Sequence, residues 1–217
     1  KHVLEYDVVM NQQRDVLYEQ RRRILNNESL KDTIQDIITR LVRDAVDTYA
    51  NEKLYPEEWD YEGLHRYLSE YFLTDENLTV AGMEEYSRQE LEDKLIELAF
   101  QEYQAREDLI GDLMMRQLER AIMLRVVDRK WMEHLDNMDM LREGISLRAY
   151  GQKNPLVEYK FEAFNMFQAM MESIQEEAVM ALYRIRAQFI EEIEQPQDYL
   201  QGAQAHHDDV LEPQNID

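Results

Sequence analysis

"DRKWMEHLDNMDMLREGISLRAYGQKNPLVEYKFEAFNMF", residues 128–167, places a glycine-containing basic stretch between two helical patterns. Upstream, apolar residues recur every three or four positions at Met114, Leu118, Ala121, Leu124, Val127, Trp131, Leu135, Met138, Leu141 and Ile145. Downstream, the same spacing occurs at Val157, Phe161, Phe164, Phe167, Met171, Ile174, Ala178, Leu182, Ile185 and Phe189. Each pattern predicts an amphipathic helix with one buried face. Because a loop of about ten residues joins them, the pair predicts a long antiparallel hairpin.

The start of the second helix has a sequence signal of its own. Asn154 precedes Pro155. Asparagine is a favoured N-cap, and proline is favoured at the first helical position because its missing N–H has no partner there in any case. The second helix of the hairpin is therefore predicted to begin at Pro155.

The predicted hairpin tip is basic in an acidic chain. Residues 141–160 contain four basic and two acidic side chains, whereas the whole chain has 24 basic against 46 acidic residues and a net charge of −22. Tyr150 lies in this tip. Two interpretations are equally weighted on physical grounds: the ring folds back to cap the hairpin core, or it is exposed and grips a partner at low entropic cost.

The segment upstream of Tyr49 predicts one long helix from about Val8. Its apolar positions are Leu30, Ile34, Ile37, Leu41, Ala45 and Tyr49. "NNES", residues 26–29, is a weak point, and Ser29 could instead cap a second helix. The basic run Arg21–Arg23 is interpreted first as a solvated face and second as a docking site for an acidic partner.

The middle segment, about residues 51–106, predicts two or three shorter helices rich in aromatic residues. Pro56, Gly63 and Gly82 interrupt it. Ser87 and Glu90 have the spacing of a capping box, which predicts a helix start. This segment is expected to form a small helical lobe inserted between the longer elements.

Composition excludes several functional classes. The acidity argues against nucleic acid as a partner, because binding phosphates needs clustered cations. The chain has no cysteine, so disulfides and thiolate chemistry are absent. The six glycines form no phosphate-binding loop, and no uncharged apolar run approaches the ~18 residues that span a bilayer. The chain is expected to be part of a longer protein, with residues 191–217 as an acidic mobile tail.

A helical-bundle enzyme with a carboxylate or metal site is the alternative of another class. Such sites combine Glu-x-x-His pairs on facing helices, and Glu62 with His65 supplies a single pair. A metal site there is therefore disfavoured. His134, flanked by apolar residues, is interpreted as a hydrogen-bonded structural histidine in preference to a general base. A coiled-coil adaptor is a third possibility.

Three stretches resemble the SecA family of bacterial preprotein-translocation motors. They are "YDVVMNQQRDVLYEQRRRIL" (Tyr6–Leu25), residues 128–167, and the aromatic lobe between them. The resemblance covers most of residues 1–190, and "LREGISLRAYGQKNP" is its most specific part. One departure occurs at Val8, where the family commonly has a second aspartate.

The resemblance implies an all-α fold with four parts. Residues 1–49 correspond to the long scaffold helix, residues 50–107 to a small inserted helical wing, and residues 108–190 to the two-helix finger of the scaffold. Residues 191–217 follow as the acidic mobile tail. Nothing in the chain resembles the nucleotide-binding domains, the preprotein cross-linking domain or the cysteine-rich zinc-binding end of the family.

The function implied is that of a non-catalytic module in an ATP-driven translocase. In the family the finger contacts the SecY channel and the unfolded preprotein, and it restrains ATP turnover in the nucleotide-binding domains. Tyr150 matches the fingertip tyrosine of the family. Arg142, Arg148 and Lys153 are further candidates for substrate or channel contact. No cofactor is expected in this chain, since ATP and Mg²⁺ belong to the parent protein, which is expected in the cytoplasm and peripherally at the plasma membrane.

Overall fold

The computed structural model describes residues 2–26, 30–148 and 154–185, and within these ranges it contains helices and no strand. The helices are α1 (His2–Asn26), α2 (Lys31–Tyr49), a 3₁₀ turn (Pro56–Glu58), α3 (Tyr61–Ser69), α4 (Val80–Met83), α5 (Arg88–Ile110), α6 (Asp112–Arg148) and α7 (Pro155–Arg184). The predicted all-α fold is confirmed. None of the described helices combines the length and apolarity needed to cross a bilayer.

The first 49 residues contain two helices, as in the alternative with a second helix after the weak point at residues 26–29, and not the single long helix. α1 ends at Asn26 and α2 begins at Lys31, with Leu30 at the N-cap and no capping side chain on it. The proposed cap Ser29 lies outside the described residues. The buried face of α2 is as predicted, because Leu30, Ile34, Ile37, Leu41 and Ala45 are all buried.

The middle segment forms short helices whose starts are set by local capping. The Asp60 carboxylate accepts a hydrogen bond from the Gly63 N–H at 2.8 Å and begins α3. Ser87 and Glu90 form the predicted capping box of α5, each side chain bonding the backbone N–H of the other residue. A polar side chain at an N-cap satisfies N–H groups that have no partner within the helix, so these starts follow from short stretches of sequence.

α6 and α7 form the antiparallel hairpin, with α6 at 37 residues and α7 at 30. Contacts between them run in opposite directions along the two helices: Glu177 pairs with Lys130, and Phe167 meets His134. α6 continues through Gly144 to Arg148, so six residues, 149–154, separate the helices instead of the expected ten or so. The helix start is confirmed, because the Asn154 side chain accepts a hydrogen bond from the Leu156 N–H at 3.1 Å.

One part of the predicted apolar face of α7 is wrong. Val157, Phe161 and Phe164 are exposed, whereas Tyr159 and Ala163 are buried. With 3.6 residues per turn, Val157, Phe161 and Phe164 lie on the side of α7 opposite Tyr159 and Ala163. α1 and α6 both pack on the Tyr159 side. We call the three exposed residues the outer face of α7.

The buried apolar side chains form two clusters. The main cluster contains the buried apolar residues from Leu30 to Tyr103 together with those of α1 from Leu17 onward, of α6 from Met115 to Trp131, and of α7 from Met170 to Tyr183. The distal cluster lies toward the hairpin tip and contains Tyr6, Met138, Ile145, Tyr159 and Ala163. α1, α6 and α7 each contribute to both clusters.

Candidate contact site at the hairpin tip

The four predicted contact residues fall within residues 142–153 of the sequence, the stretch in which α6 ends and which precedes α7. Tyr150 and Lys153 fall outside the described residues. Arg148 is the last residue of α6, and its side chain is likewise outside the described part. Of the four predicted contact residues, the structure therefore describes the side chain of Arg142.

Arg142 lies on the exposed side of α6, one and a half turns before the helix ends. Its guanidinium pairs with Asp139 at 3.2 Å, and 46% of its side chain is exposed. Burial raises the pKa of the Tyr159 hydroxyl, and the positive charge of Arg142 acts in the opposite direction. Arg142 thus places a cation at the solvent edge of the distal cluster, where a partner can reach it.

The distal cluster supports this end of the hairpin. The rings of Tyr6 and Tyr159 lie 4.5 Å apart at 60°, which brings α1 against α7. Tilted aromatic pairs at this distance are favoured by the quadrupoles of the rings, in addition to the area that they bury. Ile145 is also buried in this cluster, so packing continues to within one turn of the end of α6.

A polar layer lies between the distal and main clusters. It consists of the side chains of Gln13 and His134 and the backbone carbonyl of Ala163. Gln13 Nε2 donates to the Ala163 carbonyl at 3.0 Å, and Gln13 Oε1 is 2.8 Å from His134 Nε2. Because Gln13 Oε1 is an acceptor, His134 must carry its proton on Nε2. The predicted hydrogen bond of His134 is confirmed, and its purely structural role stays a prediction.

His134 is held in place by aromatic rings as well as by Gln13. Its ring centroid lies 5.6 Å from that of Trp131 and 5.9 Å from that of Phe167. Burial lowers the pKa of His134 because the charged imidazolium is poorly solvated there. The neutral ring is therefore the stable form within the polar layer.

A buried ionic network anchors the base of the hairpin. Glu107 of α5 accepts from Lys31 at 2.5 Å and from Arg116 at 2.7 Å, and Arg116 also pairs with Glu119 at 3.0 Å. Tyr103 donates to Glu119 at 2.5 Å. Burial raises the pKa of Glu119, while the Tyr103 hydrogen bond and the Arg116 charge act to lower it. The network ties the starts of α2 and α6 to the end of α5.

Cross-helix ion pairs also hold the hairpin along its length. Arg129 and Lys130 of α6 both contact the Glu177 carboxylate of α7. Burial alone would raise the pKa of Glu177, but these two cations hold it below its usual range. Arg21 of the basic run in α1 makes a two-pronged contact with Asp128 of α6, so this residue of the run is engaged within the fold.

The residues suggested for a metal site make other contacts. His65 Nε2 lies 3.1 Å from the Leu78 carbonyl and 3.2 Å from the Asp75 carboxylate. Across the described ranges, no three or more His, Asp or Glu side chains are grouped so as to hold a metal ion.

Sequence reasoning missed the outer face of α7, the ionic network and Gln13. A signal for Gln13 was present, because it occupies a core position between Met10 and Leu17 in the three-four spacing of α1. A polar residue in an apolar stripe indicates a buried hydrogen bond. The outer face carried no such signal, because its spacing is equally compatible with burial.

Comparison with known proteins agrees with this architecture. A family model described as "SecA Wing and Scaffold domain" matches residues 1–186. The chain is 52% identical over 185 residues to the protein translocase subunit SecA of Pelotomaculum thermopropionicum. That alignment covers 85% of this chain and 21% of the relative. It is 49% identical to the same subunit of Desulforamulus reducens and 45% identical to that of Halothermothrix orenii, each over 185 residues and 85% of this chain.

These alignments cover a limited part of the relatives. They include 21% of the Desulforamulus protein and 22% of the Halothermothrix protein. The chain therefore spans about a fifth of the length of the curated relatives it matches.

Proposed function

This chain belongs to the SecA wing and scaffold family, and we propose that it is the scaffold and finger module of an ATP-driven preprotein translocase. In this role the α6–α7 hairpin contacts the SecY channel and the unfolded translocating polypeptide. The observation that carries the proposal is the family match over residues 1–186, which includes the entire hairpin.

The shape of the hairpin suits a mechanical role. At ~1.5 Å per residue, the 37 residues of α6 extend for about 55 Å. Cross-helix ion pairs and two apolar clusters join α6 to α7 and α1. A packed helical hairpin transmits a displacement from its base to its tip, because its side chains cannot be compressed appreciably.

The tip combines the chemistry needed to hold an extended polypeptide of varied sequence. We assign Tyr150 as the aromatic contact and Arg142, Arg148 and Lys153 as cationic contacts for carbonyl or acidic groups. The outer face of α7 begins three residues after Asn154 and adds exposed apolar surface beside the tip. Aromatic and apolar contacts do not depend on a particular partner sequence, which suits a translocating chain.

The chemistry of ATP hydrolysis belongs to other parts of the translocase under this proposal. The module itself is non-catalytic and binds no cofactor, while ATP and Mg²⁺ are bound by the nucleotide-binding domains of the same protein. Those domains pack against the scaffold helices, and the finger couples substrate contact to their turnover. The parent protein works in the cytoplasm and at the cytoplasmic face of the plasma membrane.

Site-specific cross-linking tests the tip contact. Because the chain has no cysteine, Tyr150→Cys can be introduced without background from this module into the translocase that contains it. We expect cross-links to the translocating polypeptide or to the channel. Tyr55→Cys is the matched control, since Tyr55 is an exposed tyrosine of the wing at 76% exposure. Equal cross-linking at both positions, or none at Tyr150, would refute the tip contact.

Replacement of the same tyrosine separates contact from stability. Tyr150→Ala is expected to slow translocation in the full translocase while leaving the melting temperature of the 217-residue chain unchanged. If the ring instead capped the hairpin core, the variant would melt at a clearly lower temperature. The same preparation, incubated with ATP and assayed for phosphate release, is expected to show no hydrolysis.

A further inference from the structure

Two apolar clusters that share three helices are divided by the polar layer. Along α1 the order is Tyr6, Gln13 and Leu17, from the distal cluster through the layer to the main cluster. Along α6 the order runs in reverse, with Trp131 in the main cluster, His134 in the layer and Met138 in the distal cluster. All three helices therefore change from one cluster to the other at the same level.

The third helix completes the layer. On α7 the distal cluster ends at Ala163, whose carbonyl accepts from Gln13, and the main cluster begins at Met170. Both side chains of the layer are almost fully buried, Gln13 at 7% exposure and His134 at 3%. Among the apolar side chains that the structure describes, Met10 is the one that packs against both clusters. Apolar packing across the layer is thus much thinner than within either cluster.

A satisfied polar layer has two physical consequences. Its hydrogen bonds are made in one register only, so it aligns α1 with both hairpin helices. It also contributes little net stability, because the hydrogen bonds replace bonds to water. Two parts of a protein unfold together when apolar contacts connect them. Where such contacts are few, one part can open while the other stays folded.

The two sides of the layer differ greatly in size. The distal cluster has five buried apolar residues, against 34 in the main cluster, within the described part of the chain. Since stabilisation scales with the apolar area removed from water, the distal side is held far less firmly.

We propose that the polar layer is a conformational boundary, at which the distal unit opens cooperatively while the main cluster stays folded. The distal unit comprises residues 5–12 of α1, 138–145 of α6 and 156–163 of α7. Opening releases α1 from the hairpin beyond Gln13 and frees the last turns of α6 and the first turns of α7. The use of this opening to shift a contact tip rests on the proposed function, whereas the boundary itself does not.

Hydrogen exchange of the 217-residue chain at increasing denaturant tests the boundary. The amides of residues 138–145 and 156–163 are expected to share one opening free energy and one denaturant slope, both lower than those of the buried amides of α5. Simple fraying predicts instead a graded rise in exchange toward the tip. A graded profile, or distal amides that exchange only with the main cluster, would overturn the proposal.

Variants of the layer sharpen the test. Gln13→Leu leaves the buried His134 N–H without an acceptor and should speed distal exchange by about tenfold or more. The double variant Gln13→Leu/His134→Leu removes both side chains of the layer, leaves the Ala163 carbonyl without the Gln13 donor, and joins the clusters. The denaturant slope of the distal amides should therefore rise toward that of the main cluster. Gln12→Leu is the matched control, because Gln12 is the exposed neighbour of Gln13 on α1. It should change neither the exchange rate nor the denaturant slope of the distal amides.

The outcomes separate this inference from the proposed function. A double variant with unchanged distal exchange refutes the boundary even if Tyr150 cross-links to a translocating chain. A shared distal opening supports the boundary even if that cross-link fails. If a layer variant does not fold, the exchange profile of the unaltered chain still decides between a cooperative unit and fraying.

Discussion

The main and distal clusters are held by different physical means although they share α1, α6 and α7. The main cluster packs the buried face of α2 against α3, α5 and α7, and it adjoins a buried ionic network at its edge. The distal cluster is a small three-helix contact centred on two tyrosine rings. The difference predicts that the hairpin is held more firmly at its base than near its tip.

Disrupting the network should have the largest effect. In Arg116→Met, Glu107 and Glu119 lose a shared cation while both carboxylates remain buried. Removing one partner of a buried ion pair costs about 3–5 kcal/mol. Denaturant unfolding followed by circular dichroism measures the loss. Arg125→Met, an exposed position on the same helix, should stay within about 0.5 kcal/mol of the parent chain, and equal effects of both variants would contradict a structural role for the network.

A pair of α7 variants tests the corrected apolar face in the distal region. Tyr159 is 1% exposed and Phe161 is 66% exposed. Tyr159→Ala should cost about 3 kcal/mol through the cavity that it leaves, whereas Phe161→Ala should change stability by less than about 0.5 kcal/mol. Denaturant titration of the two proteins gives both values. The reverse order would restore the apolar face that the spacing alone predicted.

Acidification should weaken the polar layer between the clusters, and this effect should be smaller than those of the Arg116 and Tyr159 variants. Because burial lowers the pKa of His134, the unfolded chain takes up this proton at a higher pH, about 6.5. The contribution of neutral His134 to the free energy of unfolding is therefore complete above about pH 6.5. It is lost as the pH falls toward the lowered pKa of the folded state.

Comparison with His134→Gln isolates this contribution from the many carboxylates. The glutamine keeps an N–H donor for Gln13 but does not titrate. Between pH 7.5 and 5.5 the parent chain should lose more thermal stability than the variant does. If the melting temperatures of the two proteins fall by the same amount over this pH range, protonation of His134 is not linked to folding.

Local signals in the sequence predicted the helix starts well. Asn154 with Pro155, and Ser87 with Glu90, begin α7 and α5 as expected. Each start depends on bonds within one turn, so distant residues cannot alter it. The three-four spacing likewise predicted the buried face of α2. In α6 it was less successful: four of its ten positions are buried, namely Val127, Trp131, Met138 and Ile145, and Ala121 is exposed. The family resemblance added the interpretation of the hairpin as the two-helix finger and of Tyr150 as a candidate contact, and both stay predictions.

Features that depend on several helices could not be predicted from spacing. Val157, Phe161 and Phe164 have a core-like pattern, yet α1 and α6 both pack on the opposite side of α7. Which of two apolar faces is buried depends on where the neighbouring helices lie. The break between α1 and α2 is a further case, because the apolar pattern continues on either side of residues 27–29.

The sequence by itself determined an all-α chain, its capped helix starts, the long hairpin and the placement of a basic segment at its tip. These properties follow from periodicity, capping and charge, which act over a few residues. The tertiary structure alone decided that Gln13 and His134 meet across 121 residues, that Arg116 neutralises two buried carboxylates, and that the apolar contacts separate into two clusters. Such features depend on the relative positions of three or more helices, and no local pattern encodes those positions.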